Sequence, residues 1–124
     1  MIEIITASEY SLLSDIDCTY EFPEKNLSPF EQCEWLDEKI GIYAPSYDLT
    51  IKTFSPFILS YMTRMIEKYD LTRSNLTVHH LRRDVHDRNK IIDIDILDIG
   101  GRKGLKVDNS IFLGFLDRID YINA

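Results

Sequence analysis

Two Ser-Pro-Phe triplets, at residues 28–30 and 55–57, restrict the fold more than any other feature of the sequence. In each triplet the serine can cap a helix and the proline can occupy the first helical position. Glu31 adds the acidic residue that completes a capping box with Ser28. A helix is therefore predicted after each triplet, with a strand over 47–54 between them because apolar and polar residues alternate there.

The first predicted helix has one apolar face and one acidic face. At about 100° per residue, its apolar side chains share a face that should be buried: Phe30, Cys33, Leu36 and Ile40. The opposite face carries a stripe of glutamates, Glu31, Glu34 and Glu38, with Trp35 beside it. Two interpretations of Trp35 stay open. It can anchor a partner, since tryptophan is enriched at binding hot spots, or it can pack at the edge of the core.

Runs of β-branched residues predict further strands on both sides of the helices. They cover 2–6, 76–81 and 90–99, followed by a glycine-rich turn, a short returning strand over 105–107 and a final helix over 110–122. We therefore predict one domain of residues 1–124 in the α+β class. Its sheet should be mixed and largely antiparallel, with the helices packed mainly on one face.

Net charge and length exclude several classes of protein. The 124 residues carry a formal net charge of −7, which argues against a general binder of nucleic acid or of anionic membranes. The longest uncharged apolar stretch is too short to span a bilayer. The first residues lack the basic region and cleavage site of a secretory signal. We expect a cytoplasmic protein in which Cys18 and Cys33 stay reduced.

The charges are unevenly distributed along the chain. Residues 1–51 hold eleven acids against two bases, Lys25 and Lys39, whereas seven bases fall within 82–106. Such polarity produces a one-sided field that attracts a partner of opposite sign and accelerates encounter. The alternative is that the acids only keep the surface soluble.

One segment has the residue types of a metal site. Between positions 79 and 95 lie three histidines and four aspartates, His79, His80, Asp84, His86, Asp87, Asp93 and Asp95. These are ligands for a divalent cation that activates water. The segment lacks the paired histidines of zinc proteases, and charges that alternate along a strand are typical of its solvated face. With no serine elbow or activated cysteine either, we predict no enzyme, no metal and no cofactor.

The residues predicted to meet a partner are the acids between positions 15 and 38 together with the tryptophan: Asp15, Asp17, Glu21, Glu24, Glu31, Glu34, Trp35, Asp37 and Glu38. In size and charge, the whole chain resembles the immunity proteins of bacterial toxin systems, including those of contact-dependent growth inhibition and of nuclease colicins. The resemblance implies a cytosolic protein that binds a basic nuclease toxin domain and blocks its active site or an adjacent surface. It implies no direct contact with nucleic acid or membrane.

The basic segment 82–106 departs from a uniformly acidic immunity protein. We expect this segment to contact an acidic patch on the toxin or a third protein. Two other functions stay open: a small metal-dependent hydrolase that uses the segment 79–95, and a regulatory or adaptor subunit with a different basic partner.

Overall fold

The computed structural model describes residues 1–43, 48–55, 57–83, 89–94, 96–99 and 102–106. Its elements are β1 (Ile2–Ala7), a 3-10 turn (Tyr10–Leu12), β2 (Tyr20–Glu21), α1 (Pro29–Tyr43), β3 (Leu49–Lys52), α2 (Ile58–Tyr69), β4 (Leu76–Arg83), β5 (Asn89–Asp93), β6 (Ile96–Ile99) and β7 (Arg102–Leu105). The helix predicted over 110–122 lies outside the described residues. Within the described ranges, no helix is long and apolar enough to cross a membrane.

The main sheet has five strands in the order β2-β3-β1-β4-β5. The first four of these strands are parallel to one another. β5 pairs antiparallel with β4 at the edge, and β6 and β7 form a separate antiparallel pair. The predicted largely antiparallel sheet is therefore wrong, because the strands that surround β1 are parallel.

The parallel pairing follows from the helices that connect the strands. α1 lies between β2 and β3 in the chain, and α2 lies between β3 and β4. A connection that contains a helix returns the chain to the same end of the sheet, so the next strand runs in the same direction. The prediction gave too much weight to the strands near the C-terminal end, where β4 pairs with β5 and β6 with β7 in antiparallel fashion.

The two faces of the sheet bury different sets of side chains. Alternate residues of β1, β3 and β4 meet α1 and α2 on one face, where they form the larger core. On the other face, Ile5 and Ala7 pack with Leu13 and Phe54 in a smaller core, which the segment around the 3-10 turn covers. β1 thus lies between two apolar layers, which agrees with its almost continuous apolar sequence.

The capping box at the start of α1 is confirmed, and the predicted buried face is confirmed except for Phe30. The Glu31 N–H donates to Ser28 Oγ at 3.3 Å, and the Ser28 N–H donates back to Glu31 Oε1 at 3.3 Å. Leu36 and Ile40 are buried and Cys33 packs against the core as predicted, whereas Phe30 is 71% exposed. The buried face is turned toward Gln32, which is 1% exposed although it is polar.

Gln32 is buried because every polar atom of its side chain has a partner. Its Nε2 donates to the carbonyl oxygens of Glu24 and Leu27, at 2.8 and 3.0 Å. Its Oε1 accepts the Tyr61 hydroxyl at 3.2 Å. One side chain of α1 therefore holds the loop after β2 and also joins α1 to α2. A buried amide is tolerated when it is satisfied in this way.

We expect Gln32→Leu to lower the free energy of unfolding by about 2–4 kcal/mol, because it keeps the volume but leaves two carbonyls and a hydroxyl unpaired. Urea unfolding followed by circular dichroism measures the loss. Tyr61→Phe, which removes one of the three hydrogen bonds, should cost about 1 kcal/mol. Equal, small losses in both variants would show that the amide does not hold the loop.

Candidate functional site

A cavity of about 330 Å³ opens at the carboxyl end of the parallel strands. Its wall comes from the 3-10 turn, the loop after β2 and the end of β3. The chain leaves β1 toward one face of the sheet and leaves β3 toward the other, as the two cores show. Neighbouring parallel strands whose connections diverge leave a crevice at their carboxyl ends, which is where such sheets bind ligands. We call this space the switch-point cavity.

Glu24 is the ionisable group of the cavity wall with the most perturbed environment. Its Oε1 accepts the Phe54 backbone N–H at 2.9 Å. Its Oε2 is buried and has no hydrogen-bond partner among the described residues. Burial raises the pKa of the Glu24 carboxyl above its usual range, although the hydrogen bond from Phe54 acts in the opposite direction. A desolvated carboxyl near the carboxyl ends of the strands is a candidate functional group.

Lys52 is a second charged group of the wall, and its ammonium group is fully used. Its side chain is 12% exposed and forms an ion pair with Glu21 at 3.2 Å. The same nitrogen donates to the carbonyl oxygens of Leu13 and Ile16, at 3.0 and 3.2 Å. An ammonium group has three N–H donors, and three acceptors surround this one. Lys52 therefore secures the chain after the 3-10 turn and offers no further donor to a ligand.

Aromatic rings form part of the same wall. Tyr10 and Phe54 meet edge to face with ring centroids 6.0 Å apart, and Phe22 also lines the cavity. Tyr10 is exposed, whereas Phe54 and Phe22 are buried. The cavity thus combines apolar and polar surface in similar amounts, so its wall is more polar than that of most small-molecule sites,.

A second candidate surface is the outward face of α1. Phe30 and Ile42, which are 71% and 58% exposed, lie near its two ends, with Glu34 and Glu38 between them. Neither glutamate has an ion pair with another described residue. The four residues follow one another at intervals of four along the helix, so they share one side of it. We call them the α1 outer stripe.

Asp37 differs from the other acids of α1 because it already has a cation. Lys68 donates to its carboxylate at 2.5 Å, and the Tyr69 hydroxyl donates to the same group. These hydrogen bonds, that of Lys68 first, lower the pKa of Asp37. Gly41 leaves room for this contact, since a Cβ there would lie 2.9 Å from the Tyr69 hydroxyl. Asp37 therefore joins α1 to α2.

Trp35 packs at the edge of the larger core. It meets Tyr20 and Phe22 edge to face, with centroid distances of 5.7 and 5.4 Å. Lys39 Nζ lies over both the Tyr20 and the Trp35 rings, 4.8 and 5.7 Å from their centroids. This geometry corresponds to the second interpretation of Trp35, in which the ring joins α1 to β2. A contact of its remaining exposed surface with a partner stays a prediction.

The nine residues predicted to bind a partner therefore have different surroundings. Glu21 and Glu24 line the switch-point cavity, Glu31 caps α1, and Asp37 pairs with Lys68. Asp15, Asp17, Glu34 and Glu38 are exposed acids, and Trp35 is half-buried. Sequence reasoning missed Phe30 and Ile42 as exposed apolar residues. It also missed Lys52, for which the isolated lysine in an apolar strand was the available signal.

The predicted metal-binding segment is only partly described. His79 and His80 are consecutive on β4 and point to opposite faces of the sheet, so they do not converge on one ion,. His79 Nε2 lies 3.3 Å from Glu3. The backbone of Asp93 is described opposite His79, whereas Asp84, His86, Asp87 and Asp95 lie outside the described residues. Within the described part of the chain, no three potential ligands come together.

Comparisons with known proteins add no assignment, since no family model, no curated protein and no solved structure matches the chain. Function is therefore argued from the chain's own geometry.

We expect Glu24→Gln to make the protein more stable at neutral pH. The raised pKa means that, between its usual and its raised value, the folded chain keeps a proton that the unfolded chain releases. The free energy of unfolding then falls as the pH rises through that interval, and the fall is complete above it. The glutamine keeps an acceptor for the Phe54 N–H and removes the charge.

Urea unfolding of both proteins between about pH 4 and pH 8 measures this effect. The stability difference between variant and wild type should grow with pH. Changes in other groups, Asp37 included, cancel in that difference. A difference that stays constant with pH would contradict a buried, hard-to-ionise carboxyl.

Proposed function

We propose that the chain is an immunity protein that binds a basic toxin domain, of the nuclease class, and neutralises it in a stoichiometric complex. The observation that carries the proposal is the α1 outer stripe, in which exposed Phe30 and Ile42 flank Glu34 and Glu38, neither of which forms an ion pair with another described residue. Aromatic residues are enriched at protein–protein interfaces, which supports a binding role for Phe30. The proposed function is binding and not catalysis.

The charge of the stripe determines the kind of partner. Glu34 and Glu38 are four residues apart on the helix and repel each other, at a cost of about 0.2–0.5 kcal/mol to the isolated helix. A lysine or arginine of a partner placed between them would remove that repulsion. A nuclease carries such residues where it holds the phosphates of its substrate. Carboxylates at that position would take the place of phosphate and exclude the nucleic acid.

The apolar residues at the two ends of the stripe supply hydrophobic contact area for a partner, which the glutamates do not. Phe30 and Ile42 are twelve positions apart, which corresponds to roughly 18 Å along the helix axis at 1.5 Å per residue. That separation fits within one side of a standard interface, with apolar contacts at its two ends and the charges between them setting the orientation. Exposed acids elsewhere in the N-terminal half, such as Asp15 and Asp17, would add long-range attraction,.

The proposal is tested by a tagged pull-down from the native host, with the product of the flanking reading frame co-expressed as an explicit bait. The expected result is a one-to-one complex with a basic domain that is lethal alone and whose nuclease activity disappears on titration with this chain. A captured protein without toxicity would instead support an adaptor subunit. Bound zinc or manganese, with no partner, would favour the hydrolase.

Once the partner is identified, we expect the double variant Glu34→Lys, Glu38→Lys to bind it with an association rate at least about tenfold lower than that of the wild type. The reduction should be smaller at high salt, where charges are screened. Surface plasmon resonance at two salt concentrations measures both rates. Glu67→Lys is the matched control, since Glu67 is an exposed glutamate of α2. Equal association rates for the stripe variant and the control would remove α1 from the interface.

Phe30→Ala and Trp35→Ala should separate the interface from the core. Phe30→Ala is expected to weaken binding by at least about 2 kcal/mol with little change in the free energy of unfolding. Trp35→Ala should lower the free energy of unfolding by about 2–4 kcal/mol, since its ring packs on Tyr20 and Phe22. Calorimetric titration and urea unfolding of both variants give the two quantities. The reverse result would make Trp35 the anchor.

A further inference from the structure

We propose that the switch-point cavity binds a small planar organic cation, such as an amidine, a guanidine or an aminated heteroaromatic ring, with Glu24 as its counter-ion. The site is separate from the α1 outer stripe, and the proposal does not depend on the partner proposed above. Its starting point is the place of the cavity in the fold, where the connections of β1 and β3 diverge,.

Among the buried hydrogen-bonding groups of the wall, the one without a partner among the described residues is an acceptor. The Lys52 ammonium group is used by Glu21 and by two carbonyls, so it has no N–H left for a ligand anion. Ser14 Oγ donates to the Ser11 carbonyl at 2.8 Å. Glu24, by contrast, keeps an unused acceptor on Oε2 among the described residues. A ligand that brings an N–H donor completes this set, whereas a carboxylate or phosphate does not.

The charge of the ligand follows from the same wall. Glu21 and Glu24 contribute two carboxyls, and the Lys52 charge is balanced by Glu21. Lys25 is the remaining cation of the wall; its side chain is exposed, and its charge also acts on the Glu24 carboxyl. A cationic ligand would therefore meet a carboxylate in a partly desolvated site, where the attraction is stronger than in water.

The shape of the ligand follows from the aromatic rings. Tyr10, Phe22 and Phe54 line the cavity, and Tyr10 is the exposed ring among them. An aromatic face attracts a flat, positively charged group. A volume of about 330 Å³ is at the small end of the range for ligand sites,. One aromatic ring with an amidine or amino substituent suits that size. Because Glu24 Oε2 is buried in the free protein, binding requires a rotation about the terminal torsion of Glu24, which is soft,.

Benzamidine is the probe, with benzamide and benzoate as matched controls that share its ring and differ in charge. Calorimetric titration of the full chain should detect benzamidine binding with a dissociation constant of about 1 mM or below. In nitrogen–proton correlation spectra, the backbone amides of Glu24 and Phe54 should shift. Benzamide should bind at least about tenfold more weakly, and benzoate should not bind, because neither supplies the charge-assisted hydrogen bond.

Glu24→Gln should weaken benzamidine binding at least about tenfold and abolish the preference over benzamide. Tyr10→Ala tests the aromatic wall and should weaken binding by a smaller factor, while Glu67→Gln should leave it unchanged. Urea unfolding confirms that each variant is folded. Benzoate binding as tightly as benzamidine, an unchanged affinity in Glu24→Gln, or no benzamidine binding at about 10 mM would each overturn the proposal.

Discussion

The buried amide of Gln32 is the interaction on which both candidate surfaces depend. It holds the backbone of the loop after β2 at Glu24 and Leu27, and it accepts the Tyr61 hydroxyl of α2. The loop it holds supplies the wall of the switch-point cavity, including the Glu24 carboxyl. The same contact also sets the rotation of α1 about its axis. With Gln32 turned inward, the opposite side of the helix, which carries Phe30, faces away from the core.

Local features of the fold could be predicted from the sequence, whereas long-range pairing could not. The capping box of Ser28 and Glu31 involves residues three apart, so neighbouring chemistry decides it,. The direction of the strands depends on where the helices take the chain, and the order of helices and strands before β4 was the available signal for a parallel sheet. Phe30 shows a second limit. Periodicity groups apolar residues on a face, but it does not reveal that a satisfied amide can occupy the core instead.

The charge of the N-terminal half does not reveal which acids are available to a partner. Counting acids treats Glu21, Asp37 and Glu34 as equivalent, and the structure separates them. Glu21 pairs with Lys52, and Asp37 pairs with Lys68. In each pair the two residues are more than thirty positions apart along the chain. Such pairs form only when the chain folds, so a local stretch of sequence does not reveal which acid will pair with which base. The acids that have no ion pair within the described part of the chain, such as Glu34, are the ones whose field a partner can use,.

The two surfaces differ in how strongly they imply a function. An exposed pair such as Glu34 and Glu38 costs the fold only a few tenths of a kcal/mol, so solubility alone could maintain it. Glu24 is different because burial disfavours its ionised form, as the direction of its pKa shift shows. A glutamine would fill the same space, keep the acceptor for Phe54 and avoid that cost. Glu24 lies at the carboxyl end of the strands, where parallel sheets bind ligands. A ligand that requires a negative charge would explain why a carboxyl and not an amide occupies this position. The cavity is thus the more informative surface, although the α1 outer stripe is the more accessible one.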